Sequence, residues 1–375
     1  MDFDFTEDQQ ALRDAVRRFV DKDYSFERRH QIARNGGFDR AAWDALAGLG
    51  LTALAVPEAH GGLGFGPVEA MVVMEELGRG LVLEPVAQGA LIAPAVLARA
   101  PEALQAAWLP RIAGGEALVV LAHQEAKSRY RLNRVAARAA DGRITGVKSL
   151  VPAGDIADAF IVPARVSGSD DAAEGVALYL VERGAAGVHT RSYSLYDGSR
   201  AAELHVDQTA GQLIAGPDEG LRLLELAADI GIAAQAAEAV GVMEKYLAMT
   251  VDYLNTRKQF GVAIASFQAL RHRVADVKMQ LELARSMSYY ATLRLGDAPA
   301  VRRRALSQAK VQLGQAMRFV GQQCTQMHGG IGVTDEYAGS HYFKRLTVME
   351  MQWGDTLHHL GEVSARMQDT AGVFA

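Results

Sequence analysis

Thr256-Arg257-Lys258-Gln259-Phe260-Gly261 closes one long run of helical spacing, and Gln326-Met327-His328-Gly329-Gly330-Ile331-Gly332 closes another about seventy residues later. The two stretches carry complementary chemistry. A guanidinium presents a planar fork of donors that suits a pyrophosphate, and an aromatic ring offers a face to another flat ring. Paired glycines let backbone amides approach a ligand closely. Together they read as one half of a site for a flat-ringed diphosphate, mounted on helices.

Outward from these stretches, the apolar periodicity predicts helices over 219–256, 264–295 and 300–326, an antiparallel bundle. The first carries the alanines and glycines from Ala227 to Gly241, which permit close helix contact and place it at the bundle centre. Residues 1–116 also read as helical. Thr6 and Gln9 have capping-box spacing ahead of Leu12, Val16, Phe19 and Val20, and a further helix carries Trp43, Leu46 and Leu49. Pro67 starts another helix, through Met71, Met74 and Leu77 towards Gly78, after the turn Pro57-Glu58-Ala59-His60-Gly61-Gly62.

From Leu118 the texture changes to short valine- and isoleucine-rich runs broken by Asp141-Gly142, Pro152, Gly154 and Pro163, which predicts strands and turns. Val166-Ser167-Gly168-Ser169-Asp170-Asp171 reads as a connecting surface loop. The expected fold class is α+β, mainly α, with domains at 1–116, 117–212 and 213–375.

Composition narrows the function classes. The 375 residues exceed one ordinary core. A net charge of -5, with 22% charged and 49% hydrophobic residues, describes a globular chain without a basic stripe for nucleic acid. The single cysteine, Cys324, excludes an internal disulfide framework and a cysteine zinc site, in keeping with a reducing cytoplasm, and reads as a packed small hydrophobe. The acidic opening Met1-Asp2-Phe3-Asp4 is unlike a secretion signal, and no uncharged apolar run is expected to cross a membrane. No histidine spacing predicts a metal site, since His358 and His359 are adjacent.

Phe5-Thr6-Glu7-Asp8-Gln9, Val56-Pro57-Glu58 with Gly61-Gly62, Glu75-Glu76-Leu77-Gly78-Arg79 and the two opening stretches follow one another as landmarks of the acyl-CoA dehydrogenase superfamily do. The chain resembles that superfamily along nearly its whole length. Arg257 with Phe267-Gln268 and His341-Tyr342-Phe343-Lys344-Arg345 resemble pimeloyl-CoA dehydrogenase small subunits and related heteromeric partners. The resemblance implies an N-terminal helical domain, a β-barrel-like middle domain and a C-terminal four-helix bundle. It further implies flavin adenine dinucleotide (FAD) shared between subunits, an acyl-CoA substrate, a homologous partner subunit in an α2β2 assembly, and electron-transfer flavoprotein as electron acceptor.

By the same resemblance, the ADP end of FAD would be met by Arg257, Gln259, Phe260, Phe267, Gln268, Gln326, His328, Gly329 and Gly330. The flavin-ring half departs from the family. A Thr-Glu pair leading into Gly-Ser-Asp is replaced by Ala122-His123-Gln124-Glu125-Ala126-Lys127-Ser128-Arg129-Tyr130, and Trp-Ile-Thr-Asn-Gly by Leu150-Val151-Pro152-Ala153-Gly154. The catalytic glutamate of Tyr-Glu-Gly-Thr meets Trp353 within Met351-Gln352-Trp353-Gly354-Asp355-Thr356, and the alternative base position falls on Gly231 and Ile232. The catalytic residue is therefore unassigned. The expectation is a subunit that supplies the ADP end while a partner supplies the base. Competing readings are a homomeric dehydrogenase with a base displaced to Asp355 or Asp229, an oxygen-using flavoprotein, and a non-catalytic scaffold. Asp355 with His358 and His359 could form a proton relay or an ordinary helix cap. The resemblance admits fatty, dicarboxylic and steroid-derived thioesters as substrates.

Overall fold

A computed structural model describes residues 5–367; the opening Met1-Asp2-Phe3-Asp4 lies outside them. Six helices come first: α1 Glu7–Asp23, α2 Phe26–Arg34, α3 Arg40–Gly48, α4 Pro67–Arg79, α5 Ala93–Leu97, entered through a π-turn at Ala87–Ile92, and α6 Glu102–Ala113. Eight strands follow: β1 Val119–Leu121, β2 Arg138–Ala140, β3 Arg143–Pro152, β4 Ala159–Arg165, β5 Val176–Glu182, β6 Val188–Ser194, β7 Arg200–Ala210 and β8 Gln212–Ala215. The remainder is α7 Gly220–Thr256, the small strands β9 Lys258–Gln259 and β10 Val262–Ala263, α8 Gln268–Arg294, α9 Pro299–His328, α10 Ala338–Met351 and α11 Thr356–Ala365. These elements form two compact units, one of Met1–Arg29, Met71–Val82 and Ile232–Ala375, the other of His30–Ala70 and Leu83–Gly231.

The bundle unit is built on close helix contact. Thr6 opens α1 with a complete capping box, its hydroxyl accepting from the Gln9 amide while the Gln9 side chain accepts from the Thr6 amide, and Val16, Phe19 and Val20 are buried behind it. A Cβ on Gly241 would lie 1.8 Å from the Glu75 carbonyl oxygen, and one on Gly78 would lie 2.2 Å from that of Glu238. The two glycines thus let α4 and α7 touch backbone to backbone. The carboxylates at this crossing are buried and paired: Glu75 with Arg285 at 2.5 Å, Glu76 with Arg17 at 2.6 Å, Glu238 with Arg345 at 2.5 Å. Burial pushes the Glu75 carboxyl upward, opposed by Arg285 and Arg13.

Helix α7 holds no uncharged run of membrane length, being interrupted by Arg222, Glu225, Asp229, Glu238, Glu244, Lys245 and Asp252. By length and composition it could cross a membrane, with a mean hydropathy of 1.4 in its most apolar window, yet 89% of that window is buried in protein. Its apolar length serves as a core.

In the sheet unit the strands run in the order β6-β7-β3-β2-β4-β5-β8, with β1 added in parallel to β4. Gly62 closes the turn after Pro57 because a Cβ there would sit 1.9 Å from the Val56 carbonyl oxygen. Arg165 ends β4 fully buried and donates to the carbonyls of Asn133, Val135, Asp170, Ala172 and Glu174. The loop at 166–171 is therefore gathered around one guanidinium, more than the simple connection its composition suggests.

Candidate functional site

Helix α7 ends where Thr256 turns its hydroxyl back onto the Asp252 carbonyl at 2.9 Å. The chain then forms a two-residue hairpin with Val262 opposite Gln259 and Ala263 opposite Lys258. Its tip residues Phe260 and Gly261 have φ of 55° and 82°. Positive φ at both central positions is the hairpin-compatible geometry, and holding a phenylalanine there costs on the order of 1 kcal/mol. The Phe260 ring is 91% exposed and meets Phe267 edge-on at 6.1 Å. Arg257 is pinned through its backbone, its amide donating to Tyr253 O at 2.8 Å and its carbonyl accepting from Ile264 at 2.9 Å, while its side chain is exposed. Arg257, Gln259, Phe260, Phe267 and Gln268 consequently share one corner between α7 and α8. Helix α8 begins at Gln268 rather than 264 because Ile264–Ser266 is a 3-10 turn.

The second stretch lies at the end of α9. Gly329 leaves the helix with φ 66° and ψ −142°, and Gly329 and Gly330 are both exposed with open space where a Cβ would stand. Gln326 is exposed beside them. The structure corrects His328: its ring is buried, Nδ1 lying 2.8 Å from Cys324 O and Nε2 2.9 Å from the Tyr337 hydroxyl, so it offers no side chain to a ligand. Its ring packs 4.8 Å from that of Tyr253, the residue whose carbonyl holds Arg257. Tyr253 thereby brings the arginine hairpin and the diglycine turn to the same end of the bundle unit.

The segments matched to the flavin-ring motifs belong to the sheet unit and are organised differently. Glu125 is buried and paired with fully buried Lys148 at 2.6 Å, and accepts from the amides of Ala136 and Ala137 at 2.7 and 3.1 Å. Burial alone would raise the Glu125 carboxyl, but the Lys148 charge and these donors leave it below its ordinary value. Burial, with Lys148 nearby, pushes His123 down to about 4. Lys127 and Arg129 are exposed, Arg129 at φ 48° with its guanidinium over the Tyr130 ring. Leu150 stands at φ 52° where the register between β3 and β7 shifts, 44% exposed, its amide held by the Tyr193 hydroxyl at 3.0 Å.

At the position matched to the catalytic glutamate, Trp353 and Gly354 make a left-handed turn at φ 59° and 107°. The Gln352 side chain accepts from Gln235 Nε2 at 2.8 Å. Gln235 Oε1 in turn accepts from Lys310, which also donates to Met349 O at 2.7 Å, capping the end of α10 from within the core. Burial pushes Lys310 down to about 7. Asp355 is the N-cap of α11, accepting from the His358 amide at 2.8 Å. His359 lies between Ser307 Oγ and Trp353 O, and burial pushes it down to about 3. The carboxylate meets backbone and the inner histidine is held neutral, which favours the cap over the relay. Asp229 is 3% exposed, and Cys324 is buried with its thiol pushed up to about 12.

Two family descriptions match this chain: acyl-CoA dehydrogenase, N-terminal domain, over residues 6–116, and acyl-CoA dehydrogenase, C-terminal domain, over residues 218–368. The acyl-CoA dehydrogenase IpdE2 of Mycobacterium tuberculosis is 31% identical, covering 90% of this chain and 91% of that protein. The chain belongs to the acyl-CoA dehydrogenase family. Members of this family are FAD-dependent oxidoreductases, and FAD is the cofactor here. Among solved structures, the ChsE4-ChsE5 complex from Mycobacterium tuberculosis is similar at 28% identity and a TM-score of 0.89, covering 99% of this chain and 100% of that one. A variant of the Tcur3481-Tcur3483 steroid ACAD is similar at 26% identity and a TM-score of 0.88, covering 98% and 99%.

Sequence reasoning passed over Lys148, Lys310, Tyr253 and Tyr337. Lys148 carried a signal, a cation in the middle of a strand whose only other charge is Arg143 at its start, whereas Tyr253 and Tyr337 are recognisable only through the histidine they enclose.

Proposed function

We propose that this chain is one subunit of a heteromeric acyl-CoA dehydrogenase, acting in α,β-dehydrogenation of an acyl-CoA thioester, with the ADP end of FAD on its bundle unit and the base on a homologous partner. One observation carries the reading: the Arg257 corner is backbone-pinned and open, while position 353 holds a tryptophan and its neighbour Gln352 is engaged by Gln235. The residues fit the ADP end. Arg257 would hold the diphosphate through two donors, Phe260 and Phe267 would flank a ring, Gln259, Gln268 and Gln326 would donate hydrogen bonds, and the exposed amides of Gly329 and Gly330 would meet phosphate or ribose. His328 supports the turn from behind. When bound, FAD supplies acceptance of the hydride that leaves the β-carbon as a base removes the α-proton.

The likeness to the ChsE4-ChsE5 complex and to the two-protein Tcur3481-Tcur3483 steroid ACAD supports a heteromeric assembly, here α2β2. The second of these also directs attention to steroid-derived thioesters; electron-transfer flavoprotein as electron acceptor and the cytoplasm as compartment belong to the same proposal as what the family resemblance implies. Flavin stoichiometry with absolute mass, on the chain alone and co-expressed with a homologous subunit, tests the assembly. One flavin per heterodimer is expected, retained only on co-expression because the ring half comes from the partner, whereas ADP needs only the half this chain carries; one flavin per chain in a homotetramer overturns it. A homomeric enzyme using Asp229 keeps one supporting observation, the burial of that carboxylate, and loss of single-chain dehydrogenation in Asp229→Asn would favour it.

A further inference from the structure

Behind the diglycine turn, the neighbours of His328 assign its two ring nitrogens opposite roles. Cys324 O, 2.8 Å from Nδ1, can only accept, so Nδ1 carries the proton. In the neutral ring Nε2 is then an acceptor, to which the Tyr337 hydroxyl, 2.9 Å away, donates, while the Met249 carbonyl also faces the imidazole. The imidazole is further enclosed by the rings of Tyr246, stacked at 5.8 Å and 16°, Tyr253 at 4.8 Å and Tyr337 at 5.0 Å. Tyr246 is itself anchored, its hydroxyl within 2.8 Å of Thr325 Oγ1.

This arrangement ties three chain segments to one ring. Tyr253 lies in the last turn of α7 and its carbonyl holds the Arg257 amide; His328 ends α9; Tyr337 is the residue before α10. Gly329 and Gly330 have no side chains with which to hold their own conformation, and glycine samples more backbone states than any other residue. Gly332 folds back so closely that a Cβ on it would lie 2.9 Å from His328 Cβ, so the turn wraps around the histidine.

We propose that Tyr337 and His328 are positioning residues for the Gly329-Gly330 turn: the Tyr337 hydroxyl fixes the imidazole, and the fixed imidazole holds the turn in its diphosphate-binding conformation. The inference rests on the proposed function, in which that turn and Arg257 receive the ADP end of FAD. Affinity falls in proportion to the fraction of molecules with a competent turn, so a turn formed one-fifth of the time weakens binding about fivefold with every direct contact unchanged.

Calorimetric titration of ADP into the full-length chain tests this, using wild type, Arg257→Ala and Tyr337→Phe. Phenylalanine keeps the ring and removes only the hydroxyl. The expected result is ADP binding by wild type, at least tenfold loss in Arg257→Ala and roughly fivefold loss in Tyr337→Phe. Long-range nitrogen–proton NMR on the histidines supplies a signature that general destabilisation would not produce: the proton on Nδ1 of His328 in both proteins, with the Nε2 resonance displaced in Tyr337→Phe because the hydroxyl that donates to it is gone. If wild type does not bind ADP, or Arg257→Ala binds equally well, the site reading fails and this proposal with it. If Arg257→Ala is weakened while Tyr337→Phe stays within twofold, or if wild-type His328 carries its proton on Nε2, the positioning role is overturned and the site reading stands.

Discussion

The α7–α8 corner and the β3 segment around Leu150 are both built on residues with positive φ, yet they spend that strain differently. At the corner, Phe260 and Gly261 turn a hairpin that leaves an aromatic ring and a guanidinium facing outward. On β3, the positive φ of Leu150 accompanies a shifted register, and the neighbouring charges Lys148 and Glu125 are consumed by each other inside the sheet unit. The first region presents its chemistry and the second neutralises it. An ion pair by itself is thus no sign of a working site; what matters is whether its groups are left available.

The largest expected effect breaks the second region and spares the first. Lys148→Met should leave Glu125 buried without its cation and cost roughly 3–5 kcal/mol, read by denaturant unfolding. ADP affinity of the folded fraction should be unchanged, and a parallel loss would show that the two regions are not separable. Arg257→Ala reverses the pattern: loss of a charge-assisted contact should weaken ADP by about 1.5–3 kcal/mol while the melting temperature hardly moves, since the side chain is exposed.

The third test concerns acid. His359 titrates near 6.5 when unfolded and at about 3 when folded, so its contribution is fully present above 6.5 and declines as the pH falls towards 3. At pH 5 the loss relative to neutral pH should reach about 2 kcal/mol, and His359→Gln should flatten that slope. The smallest effect is a near balance: Leu150→Gly relieves a left-handed leucine, but glycine's greater unfolded-state freedom opposes the relief, so unfolding free energy should move by less than about 1 kcal/mol, with no change in ADP binding.

Much of the helical architecture was legible because it is periodic. The expected helices over 219–256 and 300–326 lie within two residues of α7 and α9, and the Thr6 capping box closes as its spacing implies. The short helix α2 was missed, since Phe26–Arg34 is dominated by charge and carries little apolar repeat. Glu75 and Glu76 stood out as landmarks, and the i,i+3 pair of Glu76 with Arg79 is legible in the motif itself, but Arg285 and Arg17 lie 210 and 59 residues away, where no local pattern reports the pairing. Likewise His328 looked like a ligand because polarity is visible in a sequence and direction is not. Its partners Cys324 and Tyr337 are near in the chain, yet only coordinates show that both close on the same ring. Positive φ at Phe260 and Leu150 was equally hidden, because neither residue type advertises it.

The bundle unit draws on Met1–Arg29, Met71–Val82 and Ile232–Ala375, and this has a consequence during synthesis. Glu75 and Glu76 leave the ribosome long before Arg285 exists, and Gly78 before the helix it packs against. At roughly 5–20 residues per second, the stretch after Gly231 takes on the order of ten seconds to emerge. Throughout that interval α1 and the end of α4 wait with acidic side chains and apolar faces unburied, while the sheet unit already has its full sequence. Nascent chains stalled shortly after Gly231 should therefore display a folded sheet beside a protease-sensitive N-terminus.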